Sequence, residues 1–573
     1  MENYSVTEPA RFPGFRLDAL LDFAVASHGR AVVVLVVVCF FAFLPGFFQI
    51  PPVDRDEARF AQASKQMVES GDYVDIRFQD EVRYKKPVGI YWLQTIAVKA
   101  GDLAGIKQAH TTIWLYRLPS LIGGIGSVLL TYWTALAFVG RRPALIAAMM
   151  MATCFLLGVE ARLAKTDAML LLTVIAAMGS MARIYLAEQR APEPTRGWTA
   201  PAIFWSALAA GILLKGPLIL MFVGFTAAAV SILDRSARWL LQLRPVLGAA
   251  WALLLVAPWF AAIMYRAGDS FFAESIGHDM LAKIATSQEA HGAPPGYYLL
   301  LFFVTFWPGA VLASLAAPMA WKARREPGTQ FLLCWLIPSW LVFEAVFTKL
   351  PHYVLPLYPA IAILIAGILE RNGLSKTGWL VFGTVGWFLV PMTVAIIGIV
   401  GMVALGGDLG IAAWPFAAAA LVMGLIAWRL YDADGAERAL LRAMTASVLV
   451  AFTIYGVVLP SLPVLFPSAA LAIVLRASGC KQALAAVAGY HEPSLVFLLG
   501  TPTRLTDGSG AAEFLRQGPC RFAMLDGRGE QRNFVQRAEA IGLRYALLPR
   551  VDGFNISNGR PVAVSIFRSI DQP

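Results

Sequence analysis

Directly after its first long apolar run the sequence places Val53-Asp54-Arg55-Asp56-Glu57-Ala58-Arg59-Phe60, a cluster of three carboxylates and two guanidinium groups. Carboxylates in such a cluster can accept a proton from a reacting hydroxyl, and the arginines beside them can hold an anion. The plainer alternative is a solvated helix start, where acids favour the positive end of the helix dipole. A dense cationic run follows, with Arg77, Arg83, Tyr84, Lys85, Lys86, Pro87 and Gly89. Lysine meets phosphate as a point charge and arginine as a planar fork, so this run suits a lipid phosphate at headgroup depth, or anionic headgroups in general. Asp167 closes the segment Arg162-Leu163-Ala164-Lys165-Thr166-Asp167 at the edge of another apolar run. An acid bordering a membrane span is a functional candidate by default, and the structural alternative is a local pair with Lys165 that caps a helix.

Two further segments add polar groups. The first runs from Glu274 to Gly296 and holds His278, Asp279, Lys283, Glu289 and His291. His278 and His291 with a carboxylate could bind a divalent metal, although their spacing matches no compact ligand motif and solvated loop histidines fit as well. The second is Thr348-Lys349-Leu350-Pro351-His352-Tyr353, whose lysine could equally be a snorkelling interface residue.

These segments must be positioned by a membrane scaffold. Of 573 residues, 58% are hydrophobic and 15% charged, against about half and a quarter in soluble domains. Apolar stretches of about 20 residues, the length that crosses a bilayer core, recur over 31–50, 114–139, 143–159, 168–187, 200–214, 217–233, 246–264, 297–320, 329–347, 353–370, 377–404, 412–430 and 443–465. The fold class expected is therefore an α-helical polytopic membrane protein of about thirteen transmembrane helices. The fifth and sixth spans are parted only by Lys215-Gly216-Pro217, and merging them would reverse everything downstream. Basic residues of short loops collect on the cytoplasmic side. With the N-terminus inside, the unmerged count puts Arg141/Arg142, Arg235/Arg238/Arg244, Lys322/Arg324/Arg325 and Arg429/Arg438/Arg442 there. On that topology Asp56, Lys85, Lys86, Asp167, His278, Lys283 and Lys349 all map to the outer face. The apolar run from Ala31 is too long for a signal peptide and reads as a retained first helix.

Residues 1–466 are expected to form the transmembrane domain, including an external loop over 51–113, and residues 467–573 an external α/β domain. Within the loop, Phe60, Ala63, Met67 and Val68 make an apolar stripe at helical spacing that Ser70-Gly71-Asp72 ends. A second amphipathic stretch, from Val88 to about Ala100, has the aromatic-rich profile of a helix lying in the headgroup plane. The tail alternates strand-like runs over 494–499, 522–525, 545–548 and 562–567 with helical segments over 510–516 and 532–541. Cys39, Cys154 and Cys334 lie singly in apolar spans as packing residues, whereas Cys480 and Cys520 share the external tail and could pair there. No nucleotide-binding glycine fingerprint or Walker motif is present, which removes support for an ATP-driven or nucleotide-sugar mechanism. No nucleic-acid partner is expected, and the chain is expected to act as a monomer.

At Asp56-Glu57-Ala58-Arg59-Phe60, Glu69-Ser70-Gly71-Asp72-Tyr73, Arg83-Tyr84-Lys85-Lys86-Pro87 and Tyr91-Trp92 the chain resembles the lipid-carrier-dependent GT-C glycosyltransferases. The likeness is strongest to the aminoarabinose transferases that modify lipid A, and it extends to the protein mannosyltransferase-like superfamily. It continues through Lys215-Gly216-Pro217 and Lys349-Leu350-Pro351-His352-Tyr353. The resemblance implies sugar transfer from a polyprenyl-phosphate donor to a lipid A or lipopolysaccharide core acceptor, at the periplasmic face of a bacterial inner membrane. It makes Asp56 and Asp167 the catalytic acids and assigns Lys86, Lys85, Lys283 and Arg59 to the donor phosphate. Glu57, Tyr84, Lys349 and Tyr353 are expected at the substrate, and His278 is the candidate metal ligand. One departure bears on the last point. Lys85 stands where those relatives carry an acid that resembles a zinc ligand, which weakens a metal site and favours an anionic sugar, as in the galacturonosyltransferases of lipopolysaccharide. The rival from another class is a secondary transporter or flippase, whose binding residues should lie near the bilayer midplane on broken helices.

Overall fold

The computed structural model describes residues 17–53, 55–190, 197–268, 271, 292–406, 410–480 and 482–570. It is mostly helical, with a small sheet near the C-terminus. The expected spans fall in helical segments, but 143–159 is split into Arg141–Ala152 and Phe155–Glu160, and 297–320 into Tyr297–Thr305 and Ala310–Lys322. Among the described residues, seven helices are long and apolar enough to cross a membrane, including Ile113–Ala135, Asp167–Arg190, Pro245–Ala267 and Pro351–Glu370, and shorter apolar helices such as His28–Phe43, Thr199–Lys215 and Leu218–Leu233 accompany them. Thr199–Lys215 and Leu218–Leu233 are separate helices because Gly216 adopts φ +67 and Pro217 follows it. The left-handed glycine ends one helix and the proline cannot extend it.

In the long loop, the helix Arg55–Ser70 packs Phe60, Ala63 and Met67 into one apolar cluster and Ala61 into another, so it is buried on more than one side. It stops at Gly71, whose φ of +72 suits only a residue without a Cβ. A short hairpin, Arg77–Phe78 with Glu81–Val82, leads through Lys85 and Lys86 into the helix Gly89–Leu103. That second helix buries Ile90, Tyr91 and Val98 and leaves Ile96 and Leu103 exposed, the two-faced profile expected of it.

The tail sheet runs in the order Arg504–Leu505, Leu484–Ala488, Arg521–Asp526, Arg560–Ser569, Tyr545–Asn555. The first three strands are parallel and the last two antiparallel. The segment 494–499, expected as a strand, is instead the helix Pro493–Leu499. Proline at its first turn presets the helical φ, and a continuous apolar run fits a buried helix as well as a buried strand. The strand Leu484–Ala488 was missed because its alanine-rich sequence carries helix propensity; burial between two parallel neighbours overrides it.

The helix Pro493–Leu499 and the turn that follows it dock the tail on the loop. Lys65 Nζ donates to Phe497 O at 3.0 Å, and Gln62 Nε2 donates to Thr501 Oγ1 at 2.8 Å. Gln79 Nε2 donates to Thr501 O at 2.9 Å and Thr503 O at 2.5 Å, and Thr501 Oγ1 donates to Glu69 at 2.7 Å. One flank of the Arg55–Ser70 helix is thus held by the tail.

Cys480 and Cys520, 40 positions apart in sequence, form a disulfide with Cα atoms 5.8 Å apart. Closing a loop of that length restricts the unfolded chain by roughly 4 kcal/mol in the chain-entropy view. Cys480→Ser with Cys520→Ser is therefore expected to lower the tail's resistance to limited proteolysis sharply. Equal proteolysis rates for both forms would show that the bridge adds nothing to tail stability.

Candidate functional site

Asp56 and Glu57 share the first turn of the Arg55–Ser70 helix, yet the helical step of about 100° sends them to opposite environments. Glu57 is fully buried. Arg117 grips it with two parallel bonds, Nε to Oε1 at 2.7 Å and Nη2 to Oε2 at 2.9 Å. The backbone N–H groups of Ala164 and Val53 donate to the same carboxylate at 2.9 and 2.6 Å. Arg117 itself donates to the carbonyls of Phe47, Ile50 and Pro51. This staple fixes the exit of the first span, the Asp56 helix and the segment leading to Asp167 against one another. Glu57, expected at the substrate, is instead the residue that holds the scaffold, because both its oxygens are engaged inside the protein.

Asp56 is solvent-exposed although protein surrounds it on most sides, the environment of a recess open to water. Burial pushes its carboxyl pKa up, but the fields of Lys165, Arg83, Arg59 and His352 outweigh that, and the net shift is downward. Asp56 is thus a carboxylate at neutral pH facing four basic side chains.

Asp167 opens its helix at 6% exposure and forms an ion pair with Lys215. The local pair with Lys165 is not made, for Lys165 Nζ lies 3.7 Å from Glu160 instead. His352 bridges the two acids, with Nδ1 3.7 Å from Glu160 and Nε2 3.7 Å from Asp167. Lys215 is the last residue of its helix, where a cation favours the dipole, and its Nζ sits 5.5 Å from the Tyr353 ring centroid. Tyr353 is half-buried and packs on His352 and Phe343.

Lys85 is exposed and Lys86 half-buried in the turn before Gly89. A Cβ added at Gly89 would come within 2.7 Å of the carbonyl oxygen of Leu213, so the absence of a side chain lets this turn approach the Lys215 helix end. Arg59 is half-buried on the Asp56 helix. Tyr84 is buried, with its hydroxyl donating to Asp75 at 2.8 Å. Lys349 is 4% exposed and donates to the carbonyls of Glu344 and Val346. It therefore satisfies the end of the helix Pro327–Ala345 rather than facing the recess, the usual service of a lysine at a helix C-terminus. Lys283 and His278 lie outside the described residues.

Among the described residues Glu160, Asp167 and His352 offer metal-ligand atoms within 4.8 Å of one another. Each carboxylate has an ammonium near it, Lys215 at Asp167 and Lys165 3.7 Å from Glu160, which weighs against a divalent cation. A metal would have to displace both. Glu160 and His352 went unassigned in the sequence because their pairing joins distant segments. The available signal was Glu160 itself, an acid ending the apolar run from Phe155.

Comparison with known proteins bears on the region that carries this cluster. Residues 33–267 match the model of the dolichyl-phosphate-mannose-protein mannosyltransferase family. The undecaprenyl phosphate-alpha-4-amino-4-deoxy-L-arabinose arabinosyl transferase of Erwinia tasmaniensis is 31% identical over 315 residues, 54% of this chain and 54% of that protein. Its counterpart from Pectobacterium carotovorum is 30% identical over 313 residues, again 54% of each. The chain thus spans about half the length of the curated relatives it matches. The crystal structure of ArnT from Cupriavidus metallidurans bound to undecaprenyl phosphate superposes with a TM-score of 0.72 at 19% identity, covering 95% of this chain and 98% of that one. The apo form of the same protein gives 0.71. The fold is the same over nearly the whole chain, tail included.

Proposed function

We propose that this multi-pass membrane protein, with the fold of a lipid-carrier-dependent GT-C glycosyltransferase, moves a sugar from a polyprenyl-phosphate donor to lipid A or the lipopolysaccharide core. The observation that carries the reading is the Asp56 recess. It pairs an exposed, ionised carboxylate with Arg59, Arg83 and Lys165, beside a turn bearing Lys85 and Lys86.

A polyprenyl phosphate leaves as an anion, so the protein needs mainly to position it and to stabilise the charge that develops on it. Lys86 and Lys85 suit that task as point charges, with Arg59 on the Asp56 helix; Lys283 is assigned to the same task by the resemblance alone. Asp56 then faces the acceptor. It takes the proton of an acceptor hydroxyl, or, where the acceptor is an already ionised lipid A phosphate, it orients the group. Asp167 acts through Lys215, keeping that ammonium turned toward the recess and Tyr353. No step requires a metal. The relatives transfer aminoarabinose by name, and Lys85 in place of an acid favours a uronic sugar instead.

The periplasmic orientation of the loops and tail is part of the proposal. The Cys480–Cys520 disulfide favours an oxidising compartment, and the basic clusters between spans favour the opposite side. We place the membrane domain at 1–466 and the external domain at 467–573, acting as a monomer in the bacterial inner membrane. A transporter fits less well, because Asp167, Lys215 and His352 stand at helix ends rather than along their middles.

The test is reconstitution of the purified chain in vesicles with lipid A and undecaprenyl-phosphate aminoarabinose, uronate or neutral hexose, reading glycosylated lipid A by mass spectrometry. No product from any donor would end the glycosyltransferase reading. With an active donor, Lys86→Ala is expected to raise the apparent donor KM about 10-fold or more, the loss of one charge-assisted contact. An unchanged donor KM would remove Lys86 from the phosphate site.

A further inference from the structure

Within the cationic run, Arg77 and Lys85 are exposed and Lys86 is half-buried, whereas Arg83 is only 9% exposed. Its guanidinium lies over the Phe60 ring, 5.1 Å from the centroid. Phe60 follows Asp56 by four residues on one helix, so the two side chains share a face and the guanidinium sits one turn from the Asp56 carboxylate. Phe60 is itself buried against Tyr91, which keeps the platform in place. Despite this confinement, Arg83 Nε is a buried donor with no acceptor among the described residues. Leaving a charged donor unmet inside a protein is costly, so this confined guanidinium beside the exposed Asp56 is a group held ready for an acceptor from outside. The surrounding charges leave room for one. Lys215 pairs with Asp167 and Lys165 lies 3.7 Å from Glu160, while the fields of Lys165, Arg83 and Arg59 all reach the single Asp56 carboxylate.

We infer that Arg83 binds an oxyanion of the incoming substrate beside Asp56: either the phosphate of the lipid carrier or a carboxylate on the sugar that carrier bears. The inference rests on the donor class proposed above. It makes Arg83 a substrate-binding residue that meets its ligand as a planar, bidentate fork over an aromatic face.

Binding of three lipids to the full-length chain in nanodiscs tests it: undecaprenyl phosphate, undecaprenyl-phosphate uronate and undecaprenyl-phosphate neutral hexose. Arg83→Gln is expected to weaken binding about 10- to 100-fold. Arg83→Lys, which keeps the charge and loses the fork, is expected to fall between, and it carries the test by itself if Arg83→Gln does not fold. Loss of affinity for all three lipids identifies the carrier phosphate as the ligand. Loss for the uronate lipid alone identifies the sugar carboxylate. Wild-type affinity of the variants for all three overturns the inference, whereas failure of the wild-type chain to bind any of them overturns the donor assignment and the inference together.

Discussion

Asp56→Asn is expected to lower sugar transfer by about 10²- to 10⁴-fold, the range of a positioned general base, while the chain accumulates and melts as wild type. The separation of the two effects follows from position. The Asp56 carboxylate is exposed in the recess and the amide is nearly isosteric, so little packing changes. Its neighbours hold its pKa below the ordinary value of 3.8, so it keeps its charge as pH falls through the mildly acidic range. Any stability it contributes is present above the ordinary carboxylate pKa and fades only as pH drops through the lower folded value. The activity profile should accordingly show no acidic limb from Asp56 above about pH 4. A variant that transfers sugar at the wild-type rate would remove Asp56 from the reaction.

One residue along the helix, the opposite outcome is expected. Arg117→Met leaves the Glu57 carboxylate fully buried without its guanidinium partner, and the Val53 and Ala164 N–H groups that remain carry no full charge. Removing one partner of a buried pair costs about 3–5 kcal/mol, a large part of a typical domain's stability. The variant is expected to accumulate poorly and to melt well below wild type in detergent, and Glu57→Gln combined with Arg117→Met should recover part of that loss. A wild-type melting temperature for Arg117→Met would mean the staple does not hold the scaffold.

These adjacent acids also mark how far the sequence could be read. The Arg55–Ser70 helix was legible because its apolar residues recur at helical spacing, and so was the Lys215-Gly216-Pro217 break, which glycine and proline dictate locally. The direction in which Asp56 and Glu57 diverge was not, because it depends on Arg117 arriving from 60 residues away. Lys349 looked like a substrate contact for a similar reason: only the fold reveals the carbonyls of Glu344 and Val346 within its reach. Pairs such as His352 with Glu160 and Asp167, assembled from three segments, leave no local pattern at all. In the tail, an apolar run without alternation satisfies helix and strand equally, and tertiary packing decided for helix at Pro493–Leu499.

That helix has a consequence for the order in which the protein is made. Lys65 waits for a carbonyl that lies 432 residues later in the chain. At a synthesis rate of about 5–20 residues per second, the interval between the two is roughly 20–90 s. Throughout it, the flank of the Asp56 helix carrying Gln62 and Lys65 has no tail to rest on. The newborn protein therefore passes through a stage in which its membrane helices are inserted while the helix bearing Asp56 is still unbraced, and a stretch translated 432 residues after Lys65 is the one that sets it.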